Sequence, residues 1–420
     1  MFDSRLEVPQ KLQKPLLIVL LFIAVVVLLL MARGIYQTLT NNLEDFYLYY
    51  LAASAFRSEM DVYDMHHFEH WQPLADALNV PAFAPPYRYP PLLAVLIMPL
   101  LALPPRVAGF VWTIANTIAV MGAVAVLAEI LPGGRKRLPW MWLIAVLFVP
   151  VLSTLYSGQV NALVLLSIAL ALWASQRNRP TEAGLALSLG IMLKLMPLTL
   201  VVYFLWRRQW RVVIGAIAGI AILALLCIPF VGWDAMWSYG QHMALKADPH
   251  QFEVKPQNQA LVGFFSRILT SYSWGTPWAD NPPLAWALGR GLGLILLGAT
   301  FLLCWPGRPV GRLLMEETSL VIIATLLFPS ICWYHYLMLL LIPLFTLLWN
   351  NADHPRRRAL VWVAVGCLLA IDLYGVLWIV SLKHVLLLSL ATYATLVLWA
   401  ALAWVVFRED RTFFAQSRGA

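Results

Sequence analysis

Charged residues are scarce in this sequence. Of its 420 residues, 12% are Asp, Glu, Lys or Arg and 61% are hydrophobic, and the mean hydropathy is +0.75. Soluble domains carry about twice that charged fraction. The composition therefore excludes a soluble globular protein and indicates that lipid surrounds most of the chain.

Cysteine pairs and alternating polarity are also missing. The four cysteines lie within or beside apolar runs, and no C-x-x-C occurs, so neither a disulfide framework nor a thiolate metal site is implied. The apolar runs do not alternate in polarity as membrane β-strands do. We predict an all-α integral membrane protein, because backbone groups in lipid must be bonded within each segment.

The net charge of +8 raises the possibility of nucleic-acid binding. The basic residues occur in short clusters between apolar runs: "GGRKR" (133–137), "WRRQWR" (206–211) and "HPRRR" (354–358). This pattern is typical of the cytoplasmic loops of membrane proteins. We therefore expect membrane lipid as a partner and no nucleic acid.

Apolar runs near the length of a bilayer crossing recur along the chain and predict about twelve transmembrane helices. They lie near 15–35, 90–103, 107–131, 139–155, 159–175, 183–205, 211–231, 284–306, 318–329, 333–349, 359–380 and 386–407. The first run is longer than the apolar region of a signal peptide, so we predict an uncleaved span. Both termini carry basic residues that place them in the cytoplasm: Lys11, Lys14, Arg408, Arg411 and Arg418.

The count of twelve conflicts with the charge rule at two loops. If all runs cross, "GGRKR" and "RNR" (177–179) fall outside the cytoplasm. Both loops return to the cytoplasm if 90–103 and 183–205 do not cross fully. The first of these runs is short, and the second holds Lys194 and Pro197 in its middle, where a broken helix that lines a cavity is tolerated. The sequence leaves both arrangements open, and we favour twelve crossings.

Two connections are too polar for lipid and too long for simple turns. They cover residues 36–89 and 232–283, and the twelve-span count places both outside the cytoplasm. Long connections in a compact protein are usually functional, and the Trp, Tyr, Phe and Pro content of both segments suits packing at the headgroup level. We predict interfacial helices in both, within one polytopic membrane domain that covers residues 1–420.

The first of these outer loops contains a carboxylate in an aromatic setting. In "NNLEDFYLYYLAA" (41–53), Asp45 stands between Glu44 and a run of aromatic residues. Asp45 is either a solvated loop carboxylate or a general base, because low dielectric raises the pKa of a carboxylate and makes it a better proton acceptor. Glu44 is the neighbouring candidate, but adjacent helical residues point about 100° apart, so only one of the two faces a given cavity.

Six blocks of the sequence, in this order along the chain, resemble glycosyltransferase family 87, the polyprenol-phosphate-dependent mannosyltransferases. The blocks are "EDFYLYYLAASAFRSEMDVYD" (44–64), "FAPPYRYPPLLAVLIMPLLALPP" (83–105), "SGQVNALVLLSIALAL" (157–172), "AGLALSLGIMLKLMPLTLVVYFLWRRQWR" (183–211), "QNQALVGFFSRIL" (257–269) and "WYHYLMLLLIPL" (333–344). One departure is Ala260, where the family usually has Ser. Each block alone is weak, but six in order are fairly specific for the family and much less so for the sugar.

The resemblance implies a GT-C fold with its active site at the outer face of the membrane. It implies a lipid-linked donor, typically polyprenyl-phosphomannose, and inversion of the anomeric centre in one displacement. The catalytic Asp of the family corresponds to Asp45, and its functional His corresponds to His335. The resemblance implies no cofactor and no metal, because the polyprenyl-phosphate sugar is the donor substrate.

The chemistry of such a transfer assigns roles to further residues. The leaving phosphate needs positive charge or N–H donors, for which Arg88, Lys194 and Arg267 are candidates beside His335. Side chains predicted to bind the sugar or acceptor are Tyr49, Tyr89, Gln159, Asn161, Gln257 and Asn258. Structural explanations compete with these roles: a snorkelling Arg88, a Lys194 bonded to a carbonyl, an exposed Arg267 on an interfacial helix, or a helix cap at Gln159 and Asn161.

The stretch "HHFEH" (66–70) has one feature of a metal site. His66 and His70 have the i, i+4 spacing of two ligands on one helix, and Glu69 could join them. No further ligands lie nearby in the sequence, and the family resemblance implies no metal here. We predict an exposed turn beside the membrane.

The leading hypothesis is an enzyme, and three alternatives stay open. They are transfer of arabinofuranose or another pentose, aminoarabinose-type transfer to a lipid, and a flippase or transporter of lipid-linked sugars. Transporters tend to show inverted repeats with paired broken helices, and only one broken span is evident here. We expect a monomer in the inner membrane of a prokaryote, with the site facing the periplasm or the exterior and a glycolipid or cell-envelope glycan as acceptor.

Overall fold

A computed structural model describes residues 43–60, 62–63, 68–80, 87–245, 254–271, 277–307, 313–350, 357–379 and 387–417. These residues form helices and connecting turns and contain no β-strand. The first eight α-helices are α1 (Glu44–Arg57), α2 (Phe68–Leu78), α3 (Pro91–Ile97), α4 (Pro105–Ile130), α5 (Leu138–Leu147), α6 (Val149–Ser157), α7 (Asn161–Gln176) and α8 (Pro180–Leu193). The remaining ones are α9 (Leu198–Trp206), α10 (Trp210–Leu245), α11 (Leu261–Leu269), α12 (Pro282–Leu303), α13 (Leu314–Leu327), α14 (Leu341–Phe345), α15 (Arg357–Ile379) and α16 (Leu390–Ser417).

Proline determines where several of these helices begin. It occupies one of the first two positions of α3, α4, α5, α6, α8 and α12. A proline there loses no helical hydrogen bond, and its fixed φ suits the first turn. Short non-α turns continue some of the helices: Met98–Ala102 after α3, Gly134–Arg137 before α5, Tyr334–Leu340 before α14, Thr346–Asn350 after α14 and Leu387–Ser389 before α16.

Five helical segments within the described residues are long and apolar enough to cross a bilayer. They are Pro105–Ile130, Trp210–Gln241, Pro282–Leu303, Arg358–Gly375 and Leu390–Glu409. A sixth candidate is the pair Gly134–Leu147 and Val149–Ser157, which is bent by 61° at its break. The predicted all-α multi-pass membrane protein is confirmed, whereas the count of twelve is not, and the predicted span 15–35 lies outside the described residues.

The segment 90–103 starts and ends beside the same helix. The Tyr89 ring contacts the Tyr49 ring of α1 with centroids 4.9 Å apart, and the Tyr50 hydroxyl donates to the Leu103 carbonyl at 3.0 Å. The next helix, α4, begins on this side as well, since Trp112 donates to the Gly158 carbonyl at 2.7 Å close to α1. Seven residues of α3 and five of the following turn are also too few for a crossing of about 20. These contacts do not match the prediction that 90–103 crosses the membrane.

The segment 183–205 enters the bundle and returns. α8 ends at Lys194, which is extended (φ −162°, ψ 123°) and lies beside Asn161 at the start of α7. α9 then runs back along α13: Thr199 bonds Thr325 at 2.6 Å near one end, and Arg207 pairs with Glu317 at 3.3 Å at the other. The prediction that this run crosses is therefore also at odds with the contacts, because Lys194 breaks the helix at its turning point.

Small residues let α8 approach α10 closely. A Cβ on Gly184 would lie 2.1 Å from the Val212 carbonyl, and one on Gly215 would lie 2.5 Å from the Thr181 carbonyl. Gly219 packs in the same way against Ser188. The small residues are four apart on both helices, the spacing that allows backbones to touch in membrane bundles. This packing fixes the α8–α9 hairpin against a long membrane helix.

The basic loops gather at the end of the bundle far from Asp45. The Arg137 guanidinium lies 5.9 Å from the Trp349 ring, and the neighbouring Asn350 donates to Glu316 at 2.8 Å. Glu317 in turn pairs with Arg207. Since Lys194 and the start of α7 lie at the opposite end, the loop 177–179 after α7 belongs to the basic end too. The structure thus places these loops together, as the charge rule requires.

Candidate functional site

A cavity of 1220 Å³ opens beside the N-terminus of α1. Its lining contains three groups of side chains that lie on different helices. The ionic centre consists of Asp45, Arg88, Lys194, Lys255 and His335; the apolar groove consists of Leu195, Leu198, Val202, Leu297 and Phe328; the hydroxyl face consists of Ser153, Tyr156 and Ser157. One cavity therefore offers charge, apolar surface and hydrogen-bonding groups in separate places.

Asp45 occupies the second position of α1 and is partly buried. Its neighbour Phe46 fixes the helix, because it packs on Gly158, where a Cβ would lie 2.6 Å from the Phe46 Cβ. Burial raises the pKa of the Asp45 carboxyl to about 7, against the opposing effects of the Lys194 charge and a hydrogen bond from Gln159, while the Glu44 charge raises it further. A carboxyl with this pKa is half ionised near neutral pH and suits a general base.

Gln159 is held between two tyrosines. The Tyr49 hydroxyl donates to its Oε1 at 2.9 Å, and its Nε2 donates to the Tyr89 hydroxyl at 3.0 Å. Gln159 is 1% exposed and its amide also bonds Asp45. Gln159 and Tyr89 line the cavity, whereas Tyr49 is buried behind them. Of the predicted sugar ligands, Tyr49 therefore supports the site from outside the cavity.

Lys194 brings a cation to Asp45 from the turning point of the α8–α9 hairpin. Its Nζ donates to Asn161 Oδ1 at 2.7 Å and lies 3.3 Å from the centroid of the Tyr336 ring. The ring face and the amide oxygen compensate the charge of this partly buried ammonium group. Asn161 does not line the cavity, and it contributes by orienting Lys194.

His335 lies in the turn before α14 and lines the cavity. Its carbonyl accepts hydrogen bonds from Thr154 at 3.0 Å and from Asn161 at 3.2 Å, which fix the backbone. Its Nε2 is buried and has no hydrogen-bond partner among the described residues. An imidazole nitrogen in this condition is available for a ligand in the cavity.

Two segments add further polar groups to the lining. Arg88 is exposed at the end of the first outer loop. Gln257 lines the cavity with a buried Oε1 that has no partner among the described residues, and Lys255 lies beside it with its Nζ 5.7 Å from the Trp333 ring. Lys255 was missed from the sequence. Its position two residues before the block 257–269 that resembles the family was the available signal.

Arg267 and Asn258 are buried outside the cavity. The Arg267 guanidinium is 0% exposed and donates to Ser389 Oγ at 2.9 Å and to the Asn258 carbonyl at 2.5 Å. The Asn258 amide bonds Ser330 and Cys332, which ties the second outer loop to the turn that carries His335. In this structure the two residues bond protein groups in the walls of the site and do not line the cavity, and the phosphate and sugar contacts predicted for them stay predictions.

No group of three His, Cys, Asp or Glu side chains in the described ranges is arranged to hold a metal ion. Residues 66 and 67 of the "HHFEH" stretch lie outside those ranges, and only the backbone is described for 68–70. Glu44 reaches the cavity but is exposed, and its charge acts on Asp45 as described above.

Comparison with known proteins gives one family. The model of "Glycosyltransferase family 87" matches residues 87–330. A polyprenol-phosphate-mannose-dependent alpha-(1-2)-phosphatidylinositol mannoside mannosyltransferase of Mycobacterium tuberculosis is 29% identical over 271 residues, which are 60% of this chain and 59% of that protein. A polyprenol-phosphate-mannose-dependent alpha-(1-2)-phosphatidylinositol pentamannoside mannosyltransferase of Mycolicibacterium smegmatis is 28% identical over 340 residues, 78% of this chain and 76% of that protein.

A relative with a different sugar is also similar. An alpha-(1->3)-arabinofuranosyltransferase of Mycobacterium tuberculosis is 28% identical over 211 residues, 49% of this chain and 46% of that protein. No solved structure matches the chain.

Proposed function

The chain belongs to glycosyltransferase family 87, and on that premise we propose that it transfers mannose from a polyprenyl-phosphate donor to a glycolipid or cell-envelope glycan. The observation that carries this proposal is the cavity in which Asp45, with a pKa of about 7, faces Lys194 and His335. A base beside the Lys194 cation, with the neutral His335 imidazole lining the same pocket, is what an inverting transfer from a phosphate leaving group needs.

The proposed reaction is a single displacement at the anomeric carbon. Asp45 takes the proton of an acceptor hydroxyl, whose oxygen bonds to the anomeric carbon from the side opposite the phosphate. The bond from that carbon to the phosphate oxygen breaks, and its electron pair leaves with the polyprenyl phosphate. Lys194, Arg88 and His335 stabilise the charge on the leaving phosphate, and Gln159, Gln257 and Tyr89 bond sugar hydroxyls. The steps use side chains of this chain and no cofactor.

The apolar groove suits the polyprenyl chain. Leu198 and Val202 on α9 are 43% and 46% exposed, and Leu297 and Phe328 face them from α12 and from the end of α13. Exposed apolar side chains at this position on a membrane protein face lipid. A donor whose tail lies in the groove has its phosphate beside Lys194, because Leu195 and Lys194 are adjacent.

For the whole chain we propose a GT-C fold in one polytopic domain with its site at the outer face of the inner membrane. Two of the twelve predicted spans, 90–103 and 183–205, begin and end on the same side of the membrane. The other ten cross it. Ten crossings keep both termini and every basic loop on the cytoplasmic side, which supports the outer position of Asp45. A monomer is sufficient for this site, since one chain supplies all of its groups.

Transfer of arabinofuranose from a polyprenyl-phosphate donor is the second candidate. The similarity to the arabinofuranosyltransferase favours it, but over only 49% of the chain. A site discriminates between sugars through a few hydrogen bonds to ring hydroxyls, so a change of sugar leaves the base and the cations in place.

The function is tested with purified protein in nanodiscs, radiolabelled polyprenyl-phosphomannose and a lipid extract of the source cells. We expect label transfer by the wild type and none by Asp45→Asn, which keeps the size of the side chain and loses its basicity. Glu44→Gln removes the neighbouring carboxylate instead and is expected to retain transfer.

Full transfer by Asp45→Asn would contradict the assignment of the base. If the wild type transfers label only from the arabinofuranosyl donor, the second candidate replaces the first. If neither donor is used and the donor lipid changes leaflet, the protein is a flippase.

A further inference from the structure

The hydroxyl face has no part in the mechanism above. It belongs to α6, whose residues Val149, Leu152, Ser153, Tyr156 and Ser157 all line the cavity. Spacings of three and four residues put these side chains on one face of the helix. A helix of nine residues thus presents a continuous strip about 13 Å long to the cavity.

This strip carries hydroxyl groups and no charged group. Ser153 donates to the Tyr156 hydroxyl at 3.2 Å, so the Tyr156 hydroxyl accepts that bond and can donate its own proton to a ligand. The cavity wall continues across Tyr334, Tyr374 and Gly375. The hydroxyls of Tyr334 and Tyr374 donate to the Ile371 and Pro256 carbonyls, so these two residues offer ring surface to a ligand. Tyr156 offers a ring together with a hydroxyl, which matches the apolar and hydroxyl-bearing surfaces of a sugar.

α6 is fixed at both ends and through its opposite face. The Val149 N–H donates to Asp372 Oδ1 of α15 at 2.9 Å, which caps the start of α6 from another helix. On the opposite face Thr154 donates to the His335 carbonyl. The helix ends at Gly158, which has φ 71° and leads directly to Gln159 and the carboxylate of Asp45. The strip therefore has a set position relative to the base.

We propose that the acceptor lies along this strip and that Ser153, Tyr156 and Ser157 select an uncharged, hydroxyl-rich sugar as the acceptor residue. The proposal rests on the proposed function, because it names the second substrate of the same site. In the proposed mechanism the donor phosphate takes the ionic centre, its tail takes the apolar groove, and its mannose takes Gln159, Gln257 and Tyr89 beside the base. The strip on α6 is therefore left for the acceptor. α6 leads into Gln159, which bonds Asp45, so the Ser157 end of the strip lies next to a residue that contacts the base.

The test compares two pairs of hydroxyl losses in nanodiscs, with radiolabelled polyprenyl-phosphomannose as donor and octyl mannoside as acceptor. Ser153→Ala/Tyr156→Phe removes two hydroxyls of the strip and is expected to raise the KM for octyl mannoside about tenfold while the KM for the donor stays within about twofold. Thr199→Val/Thr325→Val removes a hydrogen-bonded pair beside the apolar groove and is expected to leave the acceptor KM at its wild-type value. Tyr156→Phe alone replaces the double variant if that variant does not fold.

Two outcomes separate this inference from the function itself. If the wild type transfers mannose and the strip variants keep its acceptor KM, the acceptor does not lie on α6 and the inference is overturned. If the wild type transfers no mannose to octyl mannoside or to the lipid extract, the result contradicts the proposed function itself, and the inference that rests on it falls too. The wild type is also expected to use octyl mannoside at least tenfold better than the matching octyl uronoside, and equal use of the two would overturn the selection of an uncharged sugar.

Discussion

At the residue scale, burial and the neighbouring polar and charged groups set the pKa of the Asp45 carboxyl. Asp45 is pushed toward its neutral form by burial and by Glu44, and toward its ionised form by Lys194 and Gln159. Because the result lies near 7, small changes in its surroundings alter the fraction of active enzyme at neutral pH. The surrounding residues therefore matter as much as the base itself.

The pH dependence of transfer follows from this balance. A general base acts when it is deprotonated, whereas Lys194, whose pKa burial lowers to about 7, stabilises the leaving phosphate when it is protonated. We therefore expect kcat/KM of the wild type to rise with pH as Asp45 loses its proton and to fall at higher pH as Lys194 loses its own. Glu44→Gln removes a negative charge that raises the pKa of Asp45, so the acid limb of its profile should shift to lower pH while the maximal rate changes by no more than about twofold. Initial rates across the pH range measure both, and an unchanged or alkaline-shifted profile for Glu44→Gln would refute the coupling.

The sequence predicts which residues belong to the region of the site, but it does not separate those that line the cavity from those that lie behind its wall. Asp45, Lys194, His335, Arg88, Gln159, Tyr89 and Gln257 were predicted for the site and line one cavity. Arg267, Asn258, Asn161 and Tyr49 were predicted with them, yet each bonds protein groups behind the wall. The spacing of residues along the chain could not separate these two groups, because polar residues that build a wall and polar residues that face a ligand occur in the same short blocks.

At the element scale, the hairpin of α8 and α9 decides whether Lys194 reaches the site. Neither helix is long enough to cross the membrane, so their positions depend on packing against α10 rather than on the bilayer. The close approach at Gly184 and Gly215 provides that packing. Apolar length in the sequence predicted a span here, because a hairpin with a central break has the same composition as a span.

A methyl group at Gly184 is expected to destabilise this packing. Gly184→Ala sets a Cβ 2.1 Å from the Val212 carbonyl, so we expect a loss of about 1–3 kcal/mol in the free energy of unfolding. Gly298→Ala on α12 is the matched control, because a Cβ there meets nothing within 4 Å, and its effect should stay within about 0.5 kcal/mol. Thermal unfolding of both variants in detergent measures the difference, and equal stabilities would show that α8 is not held by close packing.

At the scale of the whole molecule, charge and chemistry are separated across the bundle. Arg137, Arg207 and the loop after α7 lie at one end, and Asp45 lies at the other. The sequence contained this arrangement as an alternative, but hydropathy alone could not choose between ten and twelve crossings. Contacts between elements distant in sequence, such as Thr199 with Thr325, support the ten crossings that we propose.

The topology can be tested with a membrane-impermeant maleimide on spheroplasts. The four native cysteines are buried, so single cysteines at exposed sites report their own side of the membrane. We expect Ala279→Cys, in the second outer loop, to be labelled from outside and Gln176→Cys, beside the basic loop 177–179, to be labelled only after permeabilisation. Twelve crossings place both positions outside, so labelling of Gln176→Cys in intact spheroplasts would restore that count.

The return of the α8–α9 hairpin also has a consequence for the order in which the chain is assembled. The glycines that receive α8 belong to α10, and they leave the ribosome about 30 residues after Gly184, so this packing surface is absent when the hairpin is first made. A lysine at its tip is costly in lipid until it has partners. We expect the cation of the active site to reach its place only when a later membrane helix has been inserted, which makes catalytic competence a late event in biogenesis.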